Sequence, residues 1–199
     1  MAELLPKEFV DVLRAKLQSL KRKVVMSAFS KEAIDVIRLQ MLYNISNGWS
    51  WYAYKRLGPE KIIELELEMW DELLPPAVEK LLPLVEQTGS SMARAKSLLG
   101  FICQVSCYEP RYTSETKRSL TWEYRTCPNW DSLVEMKLDD YLTQGGRPAK
   151  VSCIHGCTRV HEIYFRSIDP AITVRSLKNR PQADETCSFC IELPERATE

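Results

Sequence analysis

No charge of either sign predominates in this chain: Lys+Arg and Asp+Glu stand at 27 each, for a formal net charge of +0. That balance provides no global field to draw in nucleic acid or an anionic membrane. The one dense basic run, Lys21-Arg22-Lys23, reads as the solvated end of a helix. No uninterrupted apolar stretch approaches the roughly 18 residues that a membrane helix needs. Residues 1–8 also lack a basic segment leading into a long apolar one, so the expected location is the cytoplasm. There is no Gly-rich phosphate loop, no G-x-S-x-G elbow and no H-E-x-x-H helix, which leaves nucleotide hydrolases, α/β-hydrolases and zincin proteases without support. Internal repeats, low-complexity stretches and a clear linker are absent as well.

What is present fits one domain. A chain of 199 residues and 23.0 kDa is long enough to bury roughly 70% of its unfolded surface without crosslinks. Its seven cysteines, in a chain read as cytoplasmic, are expected as reduced thiols, metal ligands or small core residues rather than disulfides.

Roughly the first 108 residues read as helical. Phe9, Val10, Leu13, Leu17 and Leu20 recur at spacings of three and four, on one face of an amphipathic helix. Ser30 is placed to cap a second helix carrying Ile34, Ile37, Met41 and Ile45, which Asn47-Gly48 is expected to stop. An aromatic-dense segment, Trp49-Ser50-Trp51-Tyr52-Ala53-Tyr54, precedes Leu57-Gly58-Pro59-Glu60, where Pro59 suits the first position of a third helix reaching about Leu74. Pro75-Pro76 should break the chain before a shorter helix around Val78 to Val85. Gly89-Ser90-Ser91 then caps a helix through Leu98, Leu99, Ile102 and Val105, on which Cys103 and Cys107, at i and i+4, are expected in the core.

The remainder, 109–199, reads differently. Leu120, Trp122, Tyr124 and Thr126 alternate with Thr121, Glu123 and Arg125, the period of a half-buried strand that Cys127-Pro128 ends. Asn129 or Asp131 can cap a helix through Leu133, Met136 or Lys137, and Tyr141 that Gly145-Gly146 terminates. Val151 to Ile168 reads as another helix, stopped by Asp169-Pro170. Ile172 to Leu177 and Thr186 to Leu193 read as a hairpin joined by the polar loop 178–185. The expected class is α+β, a helical N-terminal half followed by a small antiparallel sheet packed with helices.

The chemistry concentrates late in the chain, in Cys153-Ile154-His155-Gly156-Cys157-Thr158-Arg159-Val160-His161 and in Cys187-Ser188-Phe189-Cys190. On a helix Cys153, Cys157 and His161 share one face over about 12 Å. A Cys-x3-Cys pair can supply two thiolates to zinc or to an iron–sulfur cluster, with Cys187, Cys190, Cys127 or His155 completing the set. In a regular strand, though, Cys187 and Cys190 point to opposite faces. The bland alternative makes Cys153, Cys157, Val160 and Tyr164 a core-facing stripe with His161 at its edge. A third reading takes Cys153 as a thiol nucleophile with His161 or His155 as its base, oriented by a carboxylate such as Asp139, Asp140 or Glu162. Trp49, Trp51, Tyr52, Tyr54 and Trp70, with Trp122 and Tyr124 on the strand, could wall an apolar ligand pocket, for which Trp51, Trp122 and Tyr124 are the chief candidates.

The stretch from Trp49-Ser50-Trp51 through Leu57-Gly58-Pro59-Glu60 to Glu68-Met69-Trp70 resembles the N-terminal half of a prokaryotic family related to L-2-amino-thiazoline-4-carboxylate hydrolase. So does the tail, with Cys127-Pro128, Cys153 to His161, Ile168-Asp169-Pro170 and Cys187-Ser188-Phe189. More distantly, the late Cys-x-Phe resembles that of 4-vinyl reductase domains. The resemblance covers about three quarters of the chain, and its shared positions are Cys153, Cys157, Cys187 and Phe189, with Cys190 and His161 as additions. It implies an α/β sandwich of the ligand-binding type and ring-opening hydrolysis at a non-peptide C–N bond of a cyclic, amidine-like substrate. The additional ligands raise a zinc or iron–sulfur role as the alternative. A small molecule is the expected partner, and an exposed part of the aromatic segment is a candidate homodimer contact.

Overall fold

A computed structural model describes residues 31–136, 156–178, 180 and 186–194. The helix read over 7–21, the continuation through Tyr141, Cys153 and His155 all lie outside that set. Among the described residues the fold is α+β, with five helices, mostly in the N-terminal half, and one four-stranded antiparallel sheet of order β1-β2-β4-β3.

Helix α1 spans Lys31–Leu57 and does not stop at Asn47-Gly48. Both residues are buried in this helix, and the Asn47 amide donates to Asn129 O and Ser132 Oγ, each at 3.1 Å. Tertiary hydrogen bonds thus offset the roughly 1 kcal/mol that a helical glycine costs, and the aromatic segment becomes helical with the rest. Gly58, at φ 81°, takes a backbone shape that other residues avoid and separates α1 from α2.

Helix α2 (Pro59–Leu81) has Pro59 in its first turn as expected, and it continues through Pro75-Pro76 instead of breaking. The prolines delete the bonds to the carbonyls of Asp71 and Glu72, and those residues are exposed, so the loss falls on the solvent side of the helix. Leu74 and Val78, one turn apart and buried, keep the helix seated across the proline pair. A short 3-10 turn at Leu82–Leu84 leads to α3 (Ser91–Val105), whose Ser90 cap accepts from Ala93 N–H at 3.2 Å.

The core expectation holds for Cys103, 2% exposed, and fails for Cys107, which is exposed. The helix ends at Val105; Cys107 adopts φ 56°, and the Tyr108 N–H closes onto Cys103 O at 2.9 Å, the geometry of a helix-terminating turn.

Strands β1 (Pro110–Glu115) and β2 (Ser119–Tyr124) form a hairpin. The β2 alternation is as read: Leu120, Trp122 and Tyr124 are buried while Ser119, Thr121 and Glu123 are half-exposed. Strand β1 was not expected, because it is an edge strand whose side chains are exposed after the first and so carries no apolar rhythm. Helix α4 (Pro128–Glu135) starts with Pro128 in its first turn and Cys127 in the capping position, so neither Asn129 nor Asp131 caps it.

Helix α5 is described over Cys157–Arg166, and the late hairpin is β3 (Thr173–Lys178) with β4 (Cys187–Glu192). Strand β4 also pairs with β2, with Trp122 opposite Phe189 and Tyr124 opposite Cys187. One face of the sheet therefore carries Leu120, Trp122, Tyr124, Phe189, Ile191 and Val174. Leu98, Leu99 and Cys103 of α3 and Phe165 of α5 pack onto it as the main core. A second, smaller cluster joins Trp130 and Leu133 of α4 to Trp51 and Tyr54 of α1.

Candidate functional site

A cavity of about 270 Å³ lies where α1, α2, α5 and the α3 terminus meet α4 and the sheet. Its bulk walls are Tyr43 of α1, Trp70 of α2, Tyr108 just after α3, Trp130 of α4, and Tyr124 and Phe189 on the sheet. Polar groups reach it from several directions: Cys157 and His161 on α5, Cys127, Cys187, Arg180 and Glu66. Helical spacing explains the α5 contribution, since Cys157, Val160, His161 and Tyr164 fall on one stripe and all four line the space.

His161 is 8% exposed and boxed by rings, with Phe189 at 4.6 Å, Trp122 at 5.5 Å and Phe165 at 6.0 Å between centroids. Its Nδ1 lies 2.6 Å from the Cys157 carbonyl oxygen, which can only accept. The proton therefore sits on Nδ1, and Nε2 accepts from the Tyr124 hydroxyl at 2.7 Å. Burial lowers the imidazole pKa to about 4, against a smaller upward pull from the Cys157 carbonyl. At neutral pH the ring is uncharged, and both nitrogens are engaged. Burial also pushes the Tyr124 and Tyr108 hydroxyls well above the ordinary range, keeping both protonated.

The thiols respond in the same direction. Burial raises Cys127 to about 11 and Cys187 above its ordinary value, with Arg180 opposing the shift at both. At neutral pH both are thiols, not the thiolates that attack carbon or bind metal.

Arg180 is 5% exposed. Its Nη2 donates to Tyr124 O at 3.1 Å and Arg125 O at 3.0 Å, Nη1 is 4.0 Å from the Asp131 carboxylate, and its own N–H donates to Cys187 Sγ at 3.3 Å. Its Nε has no partner among the described residues, and the same is true of the indole nitrogens of Trp70 and Trp130.

Of the residues singled out in the sequence, Trp70, Tyr124, Cys127, Cys157, Val160, His161, Tyr164, Cys187 and Phe189 all line this cavity. Trp122 does not line it; fully buried, it stacks on Phe189 at 5.8 Å in the main core. Trp51 belongs to the smaller cluster, under the ammonium of Lys55. Cys190 is buried on the sheet face opposite Cys187, three residues away on one strand. Cys153 is outside the described residues. Glu162 is held by Arg159 at 2.9 Å and Arg166 at 3.4 Å. Among the described residues no three His, Cys, Asp or Glu side chains converge as metal ligands.

Arg180, which sits in what reads as a polar loop, and Tyr43 and Tyr108 were not legible as site residues, because the neighbours that make them part of the cavity are distant in sequence.

Compared with protein-family models, with curated proteins and with solved structures, the chain matches none. Among the described residues no helix is long and apolar enough to cross a membrane.

Proposed function

We propose that this protein binds a small, largely apolar molecule in the cavity between its helices and its sheet. The observation that supports this is the make-up of the walls: rigid aromatic side chains from six elements enclose a space into which a few buried polar groups converge. At about 270 Å³ the space sits just under the roughly 300–1,000 Å³ of drug-sized sites. It suits a single ring with a short substituent. Trp70 and Trp130 on the walls make tryptophan fluorescence the readout. Ligand addition should change the emission of the wild type, and Val160→Trp, which fills the space from α5, should abolish saturable binding while circular dichroism stays native. Saturable binding that survives in Val160→Trp would rule the cavity out.

Hydrolysis of a cyclic substrate, the activity that the resemblance implies, is the second reading, favoured by Cys157 and His161 sharing one wall. It requires Tyr124 to release Nε2 before the imidazole can take a proton. Ring opening of thiazoline and hydantoin-like compounds, lost in Cys157→Ser and His161→Gln, would establish it. Activity unchanged in both variants would remove it.

A further inference from the structure

Every buried side-chain nitrogen or oxygen that lacks a partner among the described residues is a nitrogen donor: Trp70, Arg94, Trp122, Trp130 and Arg180 each contribute one. Three of the five belong to residues that line the cavity, Trp70, Trp130 and Arg180. A buried donor without an acceptor costs about 1–3 kcal/mol, so this part of the molecule is short of acceptors rather than donors.

Arg180 sharpens that bias. Two main-chain carbonyls satisfy Nη2 but carry no charge. Its ionic partner, Asp131, is 4.0 Å away with a side chain 57% exposed, so solvent screens the pair. The guanidinium is thus desolvated and its charge only partly balanced. Guanidinium groups in such surroundings are matched by planar anions. Glu66 lines the cavity too, next to Gly156, where a Cβ would stand 3.0 Å from its carboxylate oxygen and 3.6 Å from the Trp70 indole nitrogen.

Resting on the binding function proposed above, we infer that the ligand is a small aromatic carboxylate, its acid group meeting the Arg180 guanidinium where that side chain lines the cavity and its ring held among the tryptophans and tyrosines. A phosphate fits less well, because two charges would face a single arginine beside a glutamate.

Calorimetric titration of the full chain with matched pairs tests this: phenylacetate and phenylacetamide, benzoate and benzamide, indole-3-acetate and indole-3-acetamide. We expect at least one acid to bind about ten- to a hundredfold more tightly than its own amide, the range of a charge-assisted hydrogen bond over a neutral one. Arg180→Met should erase the difference, with Arg180→Lys in between. If Arg180→Met does not fold, the wild-type acid-to-amide ratio decides. Amides binding as well as their acids would overturn the carboxylate and leave the cavity a binding site. Phenyl phosphate binding more tightly than phenylacetate would overturn it as well. If neither series binds, the carboxylate and the binding function fall together.

Discussion

The two places where helices are pinned down differ in kind. On the sheet, α3 and α5 are held by hydrocarbon: Leu98, Leu99 and Phe165 against Leu120, Trp122, Phe189 and Ile191, all 0–1% exposed. Where α1 meets α4, a polar chain joins them instead. Ser132 donates to Asn44 Oδ1 at 2.6 Å and accepts from the Asn47 amide at 3.1 Å, all three side chains being buried. The first contact is non-directional and tolerates shape-conserving change; the second works only with each member present. The cavity lies between the two, and both thereby shape it.

That contrast can be broken from either side. Trp122→Ala should cost about 3–5 kcal/mol, the range for removing a large ring from a packed core, seen as a lower denaturation midpoint in urea. A loss under 1 kcal/mol would show that the sheet is not the dominant support.

His161 stands at the boundary and makes that support pH-dependent. Its folded pKa of about 4 lies below its ordinary 6.5, so between those values the unfolded chain binds more protons than the folded one. Stability should be fully present above about pH 6.5 and decline as pH falls toward 4, by about 3 kcal/mol in all. Urea unfolding across pH 4–7 in wild type and His161→Gln checks this; an equal slope in both would assign the acid sensitivity elsewhere.

Ser132→Ala should cost about 1–3 kcal/mol, because it leaves Asn44 and Asn47 each short of a buried partner. A larger loss than for Trp122→Ala would reverse the ranking of the two regions. At the bottom of the scale, Lys96→Ala breaks the 2.6 Å ion pair with Glu115 on the surface and should change stability by no more than about 1 kcal/mol, less in high salt. A shift in melting temperature that persists in high salt would contradict a screened surface pair.

The β2 alternation was readable because one face of that strand is buried, which imposes a period of two on its side chains. The hairpin of β3 and β4 was readable for a related reason: strands separated by a polar loop pair locally. Strand β1 and the continuity of α1 and α2 were not, because they depend on partners remote in sequence. A main-chain ladder with β2 makes the first, the reach of Asn47 to Ser132 the second, and exposure of the prolines to water the third.

At the site, spacing alone put Cys157 and His161 on one helical face and separated Cys187 from Cys190. It had no means of distinguishing Trp122, which fills the core, from Tyr124 two residues later, whose hydroxyl reaches His161 at the cavity. Both occupy the same face of the same strand.

From its sequence by itself this chain is α+β, helical first and sheet-forming late, with sulfur and imidazole gathered near its end, because those features follow from local periodicity and composition. Only the tertiary structure decided that His161 is neutral and hydrogen-bonded, that Cys127 and Cys187 are protonated, and that a buried Arg180 faces the cavity. Each of those properties is set by desolvation in the assembled core, with partners such as Tyr124 for His161 brought in from another element, and none is encoded in any local pattern.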